Sequence, residues 1–377
     1  MTVLEHDAFR ARARAFLADP ATVAVAPHDY GAIMPPELVE EGRSWQRHLY
    51  RHGFAGISWP TELGGQGLSP EHQSIWLEEA ARAQHPPYVN MVGLVLAGGS
   101  IMQFGSPEQQ LRFCDATLRA DIVWCQLFSE PGAGSDLASL ATRAERDGDE
   151  WVVNGQKVWS SGASISDYGI LLARTNPAAP RHRGISFFLC DMKRAGIEVR
   201  PLRQMTGGSE FDEVFFTDAR LPADALLGPL EEGWRVAMSV LANERGSTGA
   251  SVIGLERRLE ALAGLGGGAL PPVLRDRLAR LVARGQTFRL GALRSKAGDT
   301  SHAPVTKLGI SELGFAAADL RADAAGAVSM LGGSEAGQLV AAPAGRIAGG
   351  TSQVQRNIIG ERLLGLPKEP PAAEQRP

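Results

Sequence analysis

From Glu5 to about Thr117 the apolar residues recur mostly at helical spacing, as in Phe9, Ala13, Phe16 and Leu17, or Ile75, Leu77, Ala80 and Ala81. A helical segment is predicted there. It is broken by Trp59-Pro-Thr-Glu-Leu-Gly-Gly-Gln-Gly-Leu-Ser-Pro70, dense in turn residues, after which Ser69-Pro-Glu-His reads as a helix start. After Asp121 the texture changes to β-branched and aromatic runs of strand length, at 169–173, 184–190, 197–201 and 212–217. Trp151-Val-Val-Asn-Gly-Gln-Lys-Val-Trp159 reads as a hairpin turning at Asn154-Gly155, because that dipeptide supplies the positive φ of a tight primed turn. From about Leu230 helical periodicity returns, with Val236, Val240, Leu241 and Glu244 along neighbouring rows of one helix. It resumes at 273–296 and 304–330 after a glycine-rich interruption at 262–272. The expected organisation is a helical domain at 1–120, a β domain at 121–228, a helical bundle at 229–366 and a flexible, Pro- and charge-rich tail at 367–377.

Where the helices give way to strands, Gln126-Leu-Phe-Ser-Glu-Pro-Gly-Ala-Gly-Ser-Asp136 ends an apolar run in small residues, a rigid proline and two carboxylates. Two readings are open. It is an ordinary turn between strands, or a ligand seat in which Gly132 and Gly134, lacking a Cβ, let backbone N–H groups come close to a ligand. A second aromatic-then-hydroxyl stretch, Trp159-Ser-Ser-Gly162, either closes one end of the sheet or offers an indole to the same ligand.

The 377 residues, 44% hydrophobic, suffice for a large core. With 38 Lys and Arg against 42 Asp and Glu, the formal charge is −4, so no basic excess points to nucleic acid. Cys114, Cys125 and Cys190 lie far apart in neither a metal-ligand nor a disulfide spacing, which favours a reducing compartment, and the acidic start shows no secretion pattern. Cytoplasmic localisation is expected. The longest apolar run, from Met91 to Met102, is interrupted by glycines and is too short for a membrane span. Among the histidines, His182 and His302 fall in polar, turn-rich surroundings, and none has a second ligand at metal spacing.

Taken in order, the 127–136 loop, Asn154-Gly-Gln-Lys-Val-Trp-Ser-Ser-Gly162, Phe211-Asp-Glu-Val-Phe-Phe216, Gly233-Trp-Arg-Val-Ala237 and Gly350-Thr-Ser-Gln-Val-Gln-Arg-Asn-Ile-Ile359 resemble the acyl-CoA dehydrogenase family over nearly the whole chain. The resemblance implies an α+β fold: an N-terminal α-helical domain, a middle β-barrel-like sheet domain and a C-terminal helical bundle. FAD would lie between sheet and bundle. By position, Gln126, Phe128, Ser129 and Gly134 would line the flavin, Ser135 would also touch the acyl-CoA, and Trp159 with Ser161 would cover the ring's other flank. Gly333, Thr351 and Gln353 would reach the cofactor from the bundle.

The reaction so implied removes an α-proton from an acyl thioester while a hydride leaves the β-carbon, which requires a carboxylate base. Many relatives place that glutamate just before Gly-Thr-Ser, where this chain has Gly349. Glu244, followed by Arg245 on the bundle helix, falls where isovaleryl- and long-chain-type members carry theirs, and is the expected base. Gly349 retains an N–H for the enolate oxygen, and Arg245 is expected beside the substrate. Glu130 and Asp136 are expected to cap or orient the loop. Two further departures concern FAD: the family's Arg-x-x-Phe-Gly motif is missing from 264–272, with only a displaced Arg284-Gly-Gln-Thr-Phe288, and Ser329 replaces a glutamine. An acyl-CoA dehydrogenase passing electrons to an electron-transfer flavoprotein is therefore expected, as a homo-oligomer or paired with a second dehydrogenase-like chain. The rivals are a non-catalytic or half-site subunit of a heteromeric enzyme and a flavin oxidase or monooxygenase on the same fold.

Overall fold

The computed structural model describes residues 3–27, 33–244, 248–264, 270–296 and 303–368. Contacts divide the chain into two compact units, Met1–Gly246 and Ser247–Pro377.

The first unit opens with helices α1 (Val3–Ala18), α2 (Pro20–Val25), α3 (Val39–Arg51) and α4 (Pro70–Ala83). Phe9, Ala13 and Leu17 of α1 bury the predicted stripe against Trp45, Leu49, Phe54 and Trp76. Burial of each such large side chain contributes about 1.5–3 kcal/mol. Ser69 precedes α4 as its N-cap residue, as the sequence predicts. The buried stripe of α4 is nonetheless His72, Ile75, Trp76 and Glu79 rather than Ile75, Leu77, Ala80 and Ala81. A carboxylate occupies that face because Arg10 and Arg14 of α1 both pair with Glu79. The apolar run from Met91 begins a helix with a π turn, Gly93–Ala97, leading into α5 (Gly98–Phe104). A capping box between Ser106 and Gln109 then starts α6 (Pro107–Leu118).

Seven strands follow: β1 (Trp124–Leu127), β2 (Arg143–Asp147), β3 (Glu150–Ser161), β4 (Tyr168–Arg174), β5 (Ile185–Asp191), β6 (Ile197–Leu202) and β7 (Phe211–Pro222). They pair in the order β1-β4-β2-β3-β7-β6, with β5 added to β4. Strands β4 and β5 are apolar on both faces, and both faces are buried. Ile170, Leu172, Phe187 and Leu189 join a core with α5, α6 and helix α7 (Gly233–Glu244), while Leu171, Ala173, Phe188 and Cys190 join Trp151, Val214 and Phe216 inside the curled sheet. Asp167, just before β4, ties helices to sheet: its carboxylate accepts from Arg43 Nη2 at 2.8 Å, Lys193 Nζ at 2.8 Å and the Val123 amide at 3.0 Å.

Asn154-Gly155 is not the hairpin turn. The β2–β3 hairpin turns at Gly148-Asp149, with Gly148 at φ +59°, and β3 runs through Asn154-Gly155 with a register shift against β7. Glycine is required at 155 for another reason: at φ +152° a Cβ would collide with Thr142. Asn154 closes the bulge by exchanging hydrogen bonds with Asp218, whose φ is +49°.

In the second unit α8 (Thr248–Gly264), α9 (Pro272–Lys296) and α10 (Ala303–Ala325) share a core of Leu255, Leu259, Leu278, Leu281, Leu313 and Leu320. Phe288 of α9 lies where a Cβ on Gly309 of α10 would sit, so the end of the displaced Arg284–Phe288 stretch serves helix packing. The shorter α11 (Ser334–Ala341) and α12 (Ser352–Ile358) complete the unit. Among the described residues no helix is long and apolar enough to cross a membrane.

Candidate functional site

The 126–136 loop is held from within. At its start Glu130 and Ala133 exchange two backbone hydrogen bonds, at 3.1 and 3.0 Å. The Val158 amide of β3 donates to the Ser129 carbonyl at 2.9 Å. Beneath this contact Lys157, fully buried, donates from Nζ to the Phe128 carbonyl at 3.0 Å and to Glu130 Oε1 at 2.8 Å. The Glu130 carboxylate also accepts from the Ala141 and Thr142 amides at 2.6 and 2.9 Å. Burial alone would raise the Glu130 carboxyl, but the Lys157 ammonium and these donors hold it below its ordinary value. Burial pushes the Lys157 ammonium down to about 8, with Glu130 opposing the shift. The carboxylate thus orients the loop, as expected of it. Asp136 makes an exposed ion pair with Arg181 at 2.9 Å.

The outer side of the loop is open. Neither Gly132 nor Gly134 has a positive φ, and among the described residues a Cβ at either would meet nothing within 4 Å. These glycines therefore satisfy no demand of the backbone or of the protein's own packing. Ser135 is exposed, while Ser129, Gln126 and Ser161 are half-buried. The Phe128 ring is buried in T-shaped contact with Phe187, centroids 5.8 Å apart, so this residue meets the loop through its main chain.

One residue after Val158, Trp159 stands at φ +60° and is 57% exposed, its ring meeting Phe211 edge-on. A bulky residue in the left-handed region is a costly outlier, and such strain gathers at functional sites. The register shift between Lys157 and Ser160 gives side chains two positions apart opposite uses: Lys157 is buried under the loop and Trp159 is exposed. Together an exposed indole, half-buried hydroxyls and an uncovered glycine backbone form a donor and stacking set suited to a planar aromatic group with a polar edge, which is the chemistry of a flavin.

In the second unit the residues before α12 form a tight turn. Gly349 and Gly350 sit at φ +63° and +88°, where an L side chain would be strained. The turn is pinned by Lys307, which donates to the Gly350 carbonyl at 2.7 Å, and Thr351 caps α12 by accepting from the Val354 amide at 3.1 Å. Glu312 gathers Ser352 and Arg346 at 3.1 and 2.6 Å. Gln353 is exposed beside them, and Gly333, also exposed, is the N-cap residue of α11. Ser329 donates to the Gly326 carbonyl at 2.7 Å. Glu244 ends α7, but its side chain, with Arg245 and His302, lies outside the described residues. His182 packs edge-on against Trp234. The three cysteines are buried free thiols raised by burial, Cys114 and Cys125 to about 12, and are inert at neutral pH.

Sequence reasoning missed Lys157. A signal existed: alternation from Trp151 through Val153 carries position 157 to the inner face of β3, where a lysine demands a buried carboxylate.

The fold is that of a known class of flavoprotein oxidoreductases, and the chain belongs to the acyl-CoA dehydrogenase family. The family's N-terminal, middle and C-terminal domain descriptions match residues 4–121, 125–219 and 231–364. The chain is 41% identical to acyl-CoA dehydrogenase IpdE1 of Mycobacterium tuberculosis, over 96% of this chain and 98% of that protein. Among solved structures it resembles the Tcur3481-Tcur3483 steroid acyl-CoA dehydrogenase, with a TM-score of 0.84 at 28% identity over 98% of this chain and 99% of that one. It likewise resembles a chain of the ChsE4-ChsE5 complex of Mycobacterium tuberculosis, with a TM-score of 0.80 at 29% identity over the same shares.

Proposed function

We propose that this chain is a subunit of a cytoplasmic FAD-dependent acyl-CoA dehydrogenase that oxidises the Cα–Cβ bond of a bulky, steroid-class acyl thioester together with a second dehydrogenase-like chain. The observation that carries the reading is the exposed, strained Trp159 beside a loop whose glycines face open space. Ser129, Ser161 and the open loop backbone would hold the flavin's polar edge, and Trp159 its flank. FAD held there would supply the hydride acceptor, and an electron-transfer flavoprotein is the proposed electron acceptor. Glu244 takes the α-proton on a carboxylate oxygen, and Arg245 and Ser135 help hold the thioester. The Gly349 N–H donates to the enolate oxygen. That glycine suits its φ of +63°, which offers a physical reason for a base placed elsewhere.

The steroid class rests on the steroid dehydrogenase named among the similar structures. The second chain rests on the ChsE4-ChsE5 complex and on the missing Arg-x-x-Phe-Gly motif, which leaves FAD short of a contact that a partner could provide.

The test is an anaerobic panel of acyl-CoA thioesters watched by flavin bleaching, on the wild type and on Glu244→Gln. The variant should keep its flavin and bleach about 10²–10⁴-fold more slowly, the usual contribution of a positioned base. Full activity in that variant would sink the assignment of the base, and bleaching by no thioester would sink the reaction.

A further inference from the structure

We infer that Lys157 is a positioning residue for the flavin seat, acting through Glu130 to fix the loop whose open face receives the cofactor. The inference rests on the reading of that loop as an FAD site. Three chain segments meet at this one ion pair. Lys157 belongs to β3, the Phe128 carbonyl and Glu130 carboxylate belong to the start of the loop, and the Ala141 and Thr142 amides lead into β2. The same few residues carry both the hidden support and the exposed surface. Val158, next to Lys157, bonds the Ser129 carbonyl, and Trp159 follows with its indole turned outward. On the outside a Cβ at Gly132 or Gly134 would meet nothing within 4 Å among the described residues, while Lys157 and Glu130 hold the loop from beneath.

Stability alone is a poor reason for such a pair. Taking two charges out of water costs several kcal/mol per ion, and well-packed neutral substitutes are often as stable or more so. What an ammonium offers here is geometry: it donates at once to a main-chain carbonyl and to a carboxylate that in turn holds two amides. A methionine of similar length fills the space but cannot make that junction. The pair therefore acts on the position of the seat, and flavin affinity is the quantity that should respond.

The experiment uses the complex purified with its co-expressed partner, stripped of flavin and titrated with FAD. The probe variant is the double substitution Lys157→Met with Glu130→Gln, which leaves no unpaired charge in the interior. It should retain the far-UV circular dichroism of the wild type while its flavin dissociation constant rises at least tenfold and the fine structure of the bound flavin's absorption band is blunted. A folded double variant with wild-type affinity and spectrum overturns the inference and leaves the FAD reading standing. A wild type that binds no FAD overturns the reading on which the inference rests. Should the double variant not fold, amide exchange on the unmutated complex decides. Slower exchange of the Ala141, Thr142 and Val158 amides on adding FAD supports the inference, and unchanged exchange overturns it.

Discussion

Trp159 sets a backbone penalty against the cofactor contact proposed for it. Its φ of +60° costs about 1–2 kcal/mol for a residue with a Cβ, while its edge-on contact with Phe211 returns about 0.5–1.5 kcal/mol. Replacing it with glycine removes both terms. Trp159→Gly should therefore unfold within about 1 kcal/mol of the wild type by urea titration and yet lose at least tenfold in flavin affinity; a large stability loss would show that the indole is structural. Gly155 is the opposite case. Its Cβ would collide with Thr142 at a φ of +152°, so Gly155→Ala should cost about 2–4 kcal/mol in the same titration. Both residues were visible in the sequence as an aromatic and a glycine in strand-like surroundings. Their roles were not, because an Asn-Gly pair has the same letters whether it turns a hairpin or bulges a strand. What separates the two is the partner strand: β7 runs alongside β3 on both sides of the dipeptide, and no local pattern near residue 154 announces it.

At the scale of elements, the helices and strands were legible because period and composition act locally, whereas the polar residues that join them were not. Glu79 is the clearest instance. A carboxylate on a buried helical stripe contradicts the apolar pattern of α4 until α1 brings Arg10 and Arg14 to it from 65 or more residues earlier. Lys157 under the loop and Asp167 at the helix–sheet junction follow the same logic, each satisfied by partners far off in sequence. The junction at Glu79 has a consequence for pH. Burial alone would raise its carboxyl, but hydrogen bonds from Arg14 and Arg10 win and hold it below the ordinary value. With a folded pKa below the unfolded value of about 4.3, the pair's contribution is fully present above that pH and is lost as pH falls through the folded value. The α1–α4 contact should thus loosen in acid below about pH 4. Glu79→Gln, which cannot be charged at any pH, should lower stability by about 1.5–3 kcal/mol at pH 7 and flatten the acid limb of the stability curve. Equal pH dependence in variant and wild type would show that another carboxylate governs acid unfolding.

For the whole molecule the remaining question is what completes it. The second unit leaves several large apolar side chains in water around its short helices and turns, with Met330 at 82% and Leu364 at 67% exposure, and Leu331 and Ile347 nearly as bare. Scattered exposed apolar residues are ordinary, whereas adjoining ones mark an association surface, and Met330 and Leu331 adjoin in the chain. Covering each fully would contribute about 1.5–3 kcal/mol before the cost of association, enough for a few of them to anchor a standard interface of about 1,600 Å². Ser329, where the family resemblance leads one to expect a glutamine, is next to Met330 in the chain. A partner that covers the apolar residues could also supply the missing cofactor contact, so association and flavin retention should rise together. The chain expressed alone should emerge colourless or weakly yellow and self-associate with concentration. Co-expressed with a second acyl-CoA dehydrogenase-like chain, it should form a defined hetero-oligomer by light scattering, with its flavin retained through gel filtration. Because the apolar residues and the cofactor contacts are separate side chains, the link is itself testable. Met330→Ser with Leu331→Ser touches no group assigned to flavin, yet should weaken the complex and release flavin in parallel. A stable monomer that holds one FAD per chain without a partner would overturn the heteromeric reading, while leaving the flavin seat in the first unit intact.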